Sequence, residues 1–243
     1  MHGKQQVIYY RDELNDEFSD GHIDAKKIDG NYRYIRDDSP IGKAVHIFWY
    51  RIIATPLAWL YYIYGNHTHF LADALVPTMV NFPKDVSVIV HPDNVSMPVL
   101  GRITPTLGGL PLPDDKDAMK HFIEALEKRV AQKRCVMIYP EAHIWPFYTD
   151  IRPFKDTSFR YPIQHNLPVF SMTNTYQKRR FSSKPKMVTY IDGPFYADTS
   201  LPVRQQKKML RDLVYETMKK RAKNNTVVCI RYEKVTEDSG EIL

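Results

Sequence analysis

The chain has 243 residues, enough to bury one sizeable core, and 43% of them are hydrophobic against 26% charged, a globular balance that excludes a disordered or collagen-like chain. Its formal net charge is +6, unevenly spread: residues 1–40 hold six Lys/Arg against nine Asp/Glu, whereas residues 178–223 hold thirteen against four. The basic region implies either an anionic partner (lipid headgroups, a phosphorylated substrate or nucleic acid) or a solvated helix face.

Residues 1–40 read as an acidic, Tyr-rich N-terminal arm with candidate short strands at 5–10 and 31–36, and no apolar leader precedes them. Residues 41–243 read as a single domain. It opens with an apolar helix, 41–58, inside the aromatic-rich stretch 41–64, where Lys43, His46 and Arg51 interrupt the run and Pro56 breaks it. The uncharged part, 52–64, is too short to cross a bilayer. Trp and Tyr beside Lys and Arg suit a helix lying in a membrane surface, and a buried core helix is the alternative.

The stretch Gly65-Asn66-His67-Thr68-His69-Phe70-Leu71-Ala72-Asp73 follows directly. Histidine takes and returns a proton near neutral pH, and a carboxylate close by can fix its tautomer and steady its charged form. That pair can activate a hydroxyl as a nucleophile. A plain helix N-terminus capped by Asn66 or Thr68 would read the same way.

A helix is predicted over 72–80 and a buried strand over 85–90. The Gly/Pro-rich stretch 101–113 is too interrupted for a helix. Asp114 or Asp115 caps a helix running to about Lys133, with Ala118, Met119, Phe122, Ile123, Leu126 and Val130 on its apolar face. Strands are predicted at 135–139, 167–173 and 187–191. A helix from Pro202 to about Lys223 turns Val203, Leu210, Leu213, Val214 and Met218 inward, and a last strand covers 227–232. Cys135 and Cys229 lie in apolar runs and read as buried core residues of a reduced, intracellular protein. Strands alternating with helices give an α/β fold: a central mixed sheet flanked by helices.

Four segments in order carry more than any one. Asn66-His67…Asp73 is followed by Leu107-Gly108-Gly109-Leu110-Pro111-Leu112, then Ile138-Tyr139-Pro140-Glu141 with Arg152-Pro153-Phe154-Lys155 behind it, then Leu167-Pro168-Val169. This order resembles the glycerolipid acyltransferase family, the 1-acylglycerol-3-phosphate (lysophosphatidic acid) acyltransferases, over about residues 42–193. That family has Asn-His-x4-Asp, an apolar Leu-Gly-x-Ile-Pro-Val block, Phe-Pro-Glu-Gly-Thr-Arg with a downstream Lys-Pro-Phe-Lys, and Val-Pro-Val/Ile. The resemblance implies that His67 is the general base and Asp73 its orienting carboxylate. It places Asn66, His69, Arg102, Gly108, Gly109, Pro140, Glu141, His143, Arg152 and Lys155 around the substrates. Here His67 and Asp73 stand one residue further apart than in the family, and Ala142-His143-Ile144 replaces Gly-Thr-Arg.

What the resemblance further implies is transfer of a fatty acyl group from acyl-CoA or acyl-carrier protein to the hydroxyl of 1-acylglycerol 3-phosphate, giving phosphatidic acid. The acyl thioester is a co-substrate; no cofactor, metal or nucleic acid is expected. The partners are the donor, a lysophospholipid acceptor and a membrane surface, with the protein peripheral on the cytoplasmic face of the cell membrane. Two other readings use the same residues: a metal hydrolase built on His67, His69, Asp73 and His91, and a non-catalytic membrane- or nucleic-acid-binding domain using the basic 178–223 region.

Overall fold

In the computed structural model, residues 6–18, 25–36, 38–47, 62–82, 84–98 and 100–235 are described. The main sheet is built from β2 (Tyr62–Gly65), β3 (Val86–Val90), β4 (Gly109–Pro111), β5 (Cys135–Ile138), β6 (Val169–Arg179) and β7 (Ser182–Phe195), in the order β4-β3-β5-β2-β6-β7. The pairings from β4 to β6 are parallel and β7 returns antiparallel to β6, so the sheet is mixed, as expected.

Alternate residues of the short parallel strands serve two different cores. Tyr62, Tyr64, Val136 and Ile138 face one side, with Phe122, Leu126, Leu210, Val214 and Met218. Ile63, Cys135 and Met137 face the other, with Val86, Met172 and Val76. A parallel sheet covered on both faces needs apolar residues at every position, which explains the unbroken runs Cys135-Val136-Met137-Ile138 and Tyr62-Ile63-Tyr64. On the first side lie α5 (Lys116–Ala131) and α7 (Val203–Ala222); on the second lies α2 (Phe70–Asn81).

The helix signals hold locally. Asp115 caps α5, its carboxylate accepting from the Ala118 N–H at 2.7 Å, while Asp114 instead accepts from the Ile28 N–H at 2.8 Å. On α7 the buried residues are Gln206, Leu210, Val214, Met218 and Ala222, a strict four-residue stripe. Val203 and Leu213, expected inward, lie off that stripe and are exposed.

Several expectations change. The Gly/Pro-rich stretch contains a helical turn, α4 (Leu100–Ile103), after α3 (Asp93–Ser96), and then β4. Gly108 enters β4 at φ 97°, where an added Cβ would stand 2.4 Å from the Val86 carbonyl, so only glycine fits that turn. Residues 31–36 form no strand; Tyr32 and Tyr34 are buried against α5 without a ladder partner. The last strand, β8 (Ile230–Lys234), does not join the main sheet but pairs in parallel with β1 (Gln6–Tyr10). Cys135 is buried, but Cys229 is only partly so.

Of the apolar helix expected over 41–58, α1 (Pro40–Ile47) is described, with the His46 ring bonded to Asp85 at 2.6 Å; residues 48–58 lie outside the described residues. Among the described residues no helix is long and apolar enough to cross a membrane. Segment 6–18 lies against the loop after β5: Trp145 Nε1–H donates to the Asp16 carbonyl, and Tyr148 donates to Glu13 at 2.9 Å.

A short helix, α6 (Arg160–Gln164), precedes β6, and His165 at its end meets the Tyr62 hydroxyl through Nδ1 at 2.8 Å. Burial pushes the His165 ring below its ordinary value of 6.5. A folded value below the unfolded one gives stability that is present above about pH 6.5 and is lost as pH falls through the depressed folded value. Replacing His165 with Asn should therefore shrink the drop in melting temperature between neutral and mildly acidic pH; an unchanged drop would remove His165 as its source.

Candidate active site

The site lies where β2 ends. Past Gly65 one last main-chain bond runs to β6, from the Asn66 N–H to the Met172 carbonyl at 3.4 Å, and then a side chain takes over. The Asn66 amide accepts from the Asn174 N–H at 2.8 Å and donates to the Asn174 carbonyl at 3.1 Å, two bonds of ladder type made by one buried amide. Asn66 thus anchors the strand end to β6, and both its polar atoms are used there instead of on a substrate.

His67 is next, still extended, and α2 begins at Phe70 with His69 as its cap. Asp73 sits in the first turn of α2, where the helix dipole favours a negative charge. Its Oδ2 accepts from three donors: the His67 ring at Nδ1 (2.9 Å), the Thr68 N–H (2.8 Å) and the His69 N–H (2.8 Å). Its Oδ1 accepts from the Asn174 side-chain amide at 3.2 Å. Four donors converge on this buried carboxylate, whose residue is 2% exposed, so both its oxygens act as acceptors.

A carboxylate with that company has no proton to give, so the shared hydrogen sits on His67 Nδ1, and Nε2 keeps its lone pair. The ring lies flat against Tyr139, centroids 4.4 Å apart and planes 19° apart, and its side chain is 20% exposed. Tyr139 in turn donates to the Asp73 carbonyl at 2.5 Å, and burial pushes its hydroxyl well above the ordinary tyrosine value, so it stays a donor. The His69 ring is engaged elsewhere. Its Nδ1 accepts from the Ala72 N–H at 3.2 Å, and the ring stands edge-on to Phe147. Two loop residues between His67 and the helix let the imidazole reach Asp73 across a spacing of six.

Glu141 and Arg152, expected to touch the acceptor, are instead fully buried framework. Glu141 Oε2 accepts from the His67 N–H at 2.9 Å and Oε1 from the Arg152 N–H at 2.9 Å. The carboxylate thus clamps the backbone at His67 to the loop behind it. The Arg152 guanidinium lies 3.8 Å from Glu141, donates to the Glu141, His143 and Glu13 carbonyls, and covers the Trp145 ring at 4.9 Å. Burial raises the Glu141 carboxyl against the pull of Arg152 and lowers the Arg152 guanidinium against the pull of Glu141. Ala142 follows at φ 65°, a left-handed position, at the place where the resembled motif has glycine.

The other expected residues are scattered. Pro140 is half-buried beside Glu141. His143 turns to Glu17, Nδ1 to Oε2 at 3.1 Å. Lys155 and Arg102 are exposed. Gly109 stands level with Val88 and Met137, hence with Ile63, three strands from β2 and below its end. Three interstrand spacings amount to about 14 Å, so Gly108 and Gly109 do not approach His67. His91, included in the metal reading, caps the turn before α3 beside Asp93. Among the described residues no group of three His, Cys, Asp or Glu could hold a metal ion.

Sequence reasoning missed Asn174, which bonds Asp73, Asn66 and, through its side-chain Oδ1, accepts from the Thr189 hydroxyl at 2.7 Å. The polar run Ser171-Met172-Thr173-Asn174-Thr175 inside a buried strand was its available signal. Tyr139 was read only as part of a motif.

The fold and site together define an α/β protein with a His–Asp dyad at the carboxyl end of a largely parallel sheet. No family model matches the sequence, and no curated protein matches it. Among solved structures the chain is similar to the crystal structure of the 1-acyl-sn-glycerophosphate (LPA) acyltransferase, PlsC, from Thermotoga maritima, at 14% identity and a TM-score of 0.49, over 77% of this chain and 81% of that one. So distant a likeness says nothing about chemistry.

Removing the Glu141 carboxylate leaves a buried guanidinium without its counter-charge and two N–H groups without their acceptor. Glu141→Ala should lower unfolding free energy by about 3–5 kcal/mol in chemical denaturation, and a loss below about 1 kcal/mol, the worth of one ordinary hydrogen bond, would refute the clamp.

Proposed function

We propose that the chain is an acyltransferase that esterifies a lipid hydroxyl from an acyl thioester. One observation carries the reading: the His67 ring meets a buried, four-fold bonded Asp73 through Nδ1 at 2.9 Å, which leaves Nε2 as the nitrogen for the acceptor hydroxyl. The same two residues are those that the sequence resemblance to glycerolipid acyltransferases puts in the roles of base and orienting carboxylate.

An alcohol has a pKa far above 7 and attacks a thioester poorly. His67 Nε2 removes the hydroxyl proton as the oxygen bonds to the thioester carbonyl carbon. The resulting imidazolium is stabilised by the buried Asp73 carboxylate, which the Thr68 and His69 N–H groups and the Asn174 amide already hold in place. When the tetrahedral centre collapses, the C–S bond breaks and the thiolate takes the proton from Nε2, returning His67 to its starting state. No enzyme nucleophile enters the sequence of steps. Tyr139 limits the tilt of the ring, and Glu141, through the His67 N–H, fixes the backbone that carries it.

The finer reading is that the acceptor is 1-acylglycerol 3-phosphate and the product phosphatidic acid, with acyl-CoA or acyl-carrier protein as donor, at the cytoplasmic face of the cell membrane. With Arg152 buried and His143 turned to Glu17, the exposed cations Arg102 and Lys155 are the remaining members of the expected set for a phosphate. A different lysolipid acceptor would use the same dyad.

The experiment is incubation with a labelled acyl-CoA and a panel of lysolipids headed by lysophosphatidic acid, read by mass spectrometry. His67→Ala should lower transfer about 10²–10⁴-fold, the usual worth of a general base, with little change in melting temperature. His69→Ala should cost distinctly less, since that ring caps α2 and does not meet Asp73. No transfer to any lysolipid by the folded protein, or equal transfer by His67→Ala, would overturn the proposal.

A further inference from the structure

Two strands of the main sheet run on after their neighbours stop. β2 ends at Gly65, level with Met172 of β6, but β6 continues to Arg179 and turns through Arg180 and Phe181 into β7. Since β6 is parallel to β2, the extension leaves by the end of the sheet that carries His67. At about 3.3 Å per residue its tip stands roughly 20 Å beyond the level of Gly65. Residues after α7 brace its base: the Thr226 N–H donates to the Tyr176 carbonyl at 3.0 Å, and the Lys178 N–H to the Thr226 hydroxyl at 2.8 Å. The last rung pairs Arg179 with Ser182.

The composition of this hairpin is one-sided. Lys178, Arg179, Arg180, Lys184 and Lys186 are all exposed, and no Asp or Glu occurs between positions 177 and 191. None of the five takes part in an ion pair among the described residues. At the turn Phe181 is 88% exposed, with the Arg180 guanidinium 5.1 Å over its ring. Arg221 bonds Asp192 of β7 at 2.8 Å, level with Ser171 at the base of the hairpin and not at its tip.

Such a tip is costly in water. Its cations crowd within about a Debye length of one another, and a phenyl ring is left in solvent at the most projecting point. One kind of surface relieves both: anionic charge spread over a boundary with an apolar layer beneath it. We propose that the β6–β7 hairpin docks the protein on anionic lipid bilayers, with Phe181 entering the headgroup–acyl boundary and the five cations meeting lipid phosphates. Docked in this way the protein turns the end of the sheet that carries His67 to the lipid surface. That orientation rests on the acyl-transfer reading; the binding itself does not.

The test uses the full chain, sedimented with vesicles of phosphatidylcholine alone or of phosphatidylcholine with phosphatidylglycerol. Wild type should bind the anionic vesicles at low salt. Arg179→Gln with Arg180→Gln should weaken that binding roughly 25-fold, about fivefold for each cation at an anionic surface. Phe181→Ser should remove the part of the binding that survives high salt. Phe181→Trp should show a blue-shifted emission on anionic vesicles only. The tip is exposed, so melting temperatures should not change, and transfer to a short-chain, monomerically dispersed acceptor should be the same in all variants.

Failure of wild type to sediment, binding unaffected by these substitutions, no emission shift, or hairpin-dependent binding of an oligonucleotide without binding of vesicles would each overturn the proposal. Loss of transfer to the dispersed acceptor in the hairpin variants would also count against it. Hairpin-dependent vesicle binding by a protein that acylates nothing would uphold the docking and dismiss the acyl-transfer reading.

Discussion

One oxygen atom organises the end of the sheet. Asp73 Oδ2 gathers the His67 ring and two successive backbone N–H groups, and none of these can be satisfied by water where the carboxylate lies. A buried charge is tolerable only when its donors are in place, so the cost of misplacing any of them is high. The segment from His67 to the start of α2 is therefore bent to a shape set by a carboxylate, and the tautomer of the ring follows from that shape. Asn66 and Glu141 act on the same requirement from either side, one tying the strand end to β6, the other holding the His67 N–H.

The two buried carboxylates divide their tasks. Asp73 faces the ring and, in the proposed acyl transfer, stabilises a charge that comes and goes. Glu141 faces Arg152 and the backbone, and stabilises a geometry that should not change. Their companions match this division: Asp73 is attended by neutral donors, which leave its charge to act on His67, whereas Glu141 is neutralised by a guanidinium.

Much of this was legible in the chain before folding. The strand cores, the α5 cap at Asp115 and the Asn66-His67…Asp73 segment follow from periodicity, capping chemistry and motif order. What could not be read depended on contacts between distant residues. The substrate contact expected of Arg152 came from a motif position, but its burial depends on Trp145, Glu13 and Glu141 closing around it. Gly108 and Gly109 were assigned to the substrate by the same route, and the strand order then carried them three strands away. Val203 and Leu213 failed as core residues because a four-residue stripe, not a 3.6-residue average, met the sheet. Asn174 was overlooked because a polar residue in a strand gives no hint of which buried group it satisfies.

The pairing of β1 with β8 joins position 6 to position 230, nearly the two ends of the described chain. Closing so long a loop is entropically expensive and its reward comes only when everything between has collapsed. During synthesis from the N-terminus, β1 must wait unpaired until β8 has emerged. The segment it leads into, with the Glu13 and Asp16 carbonyls that receive Arg152 and Trp145, can settle only afterwards. The loop that carries Glu141 is thus the last part of the site to lock, and the scaffold around His67 and Asp73 is assembled well before that buried clamp closes.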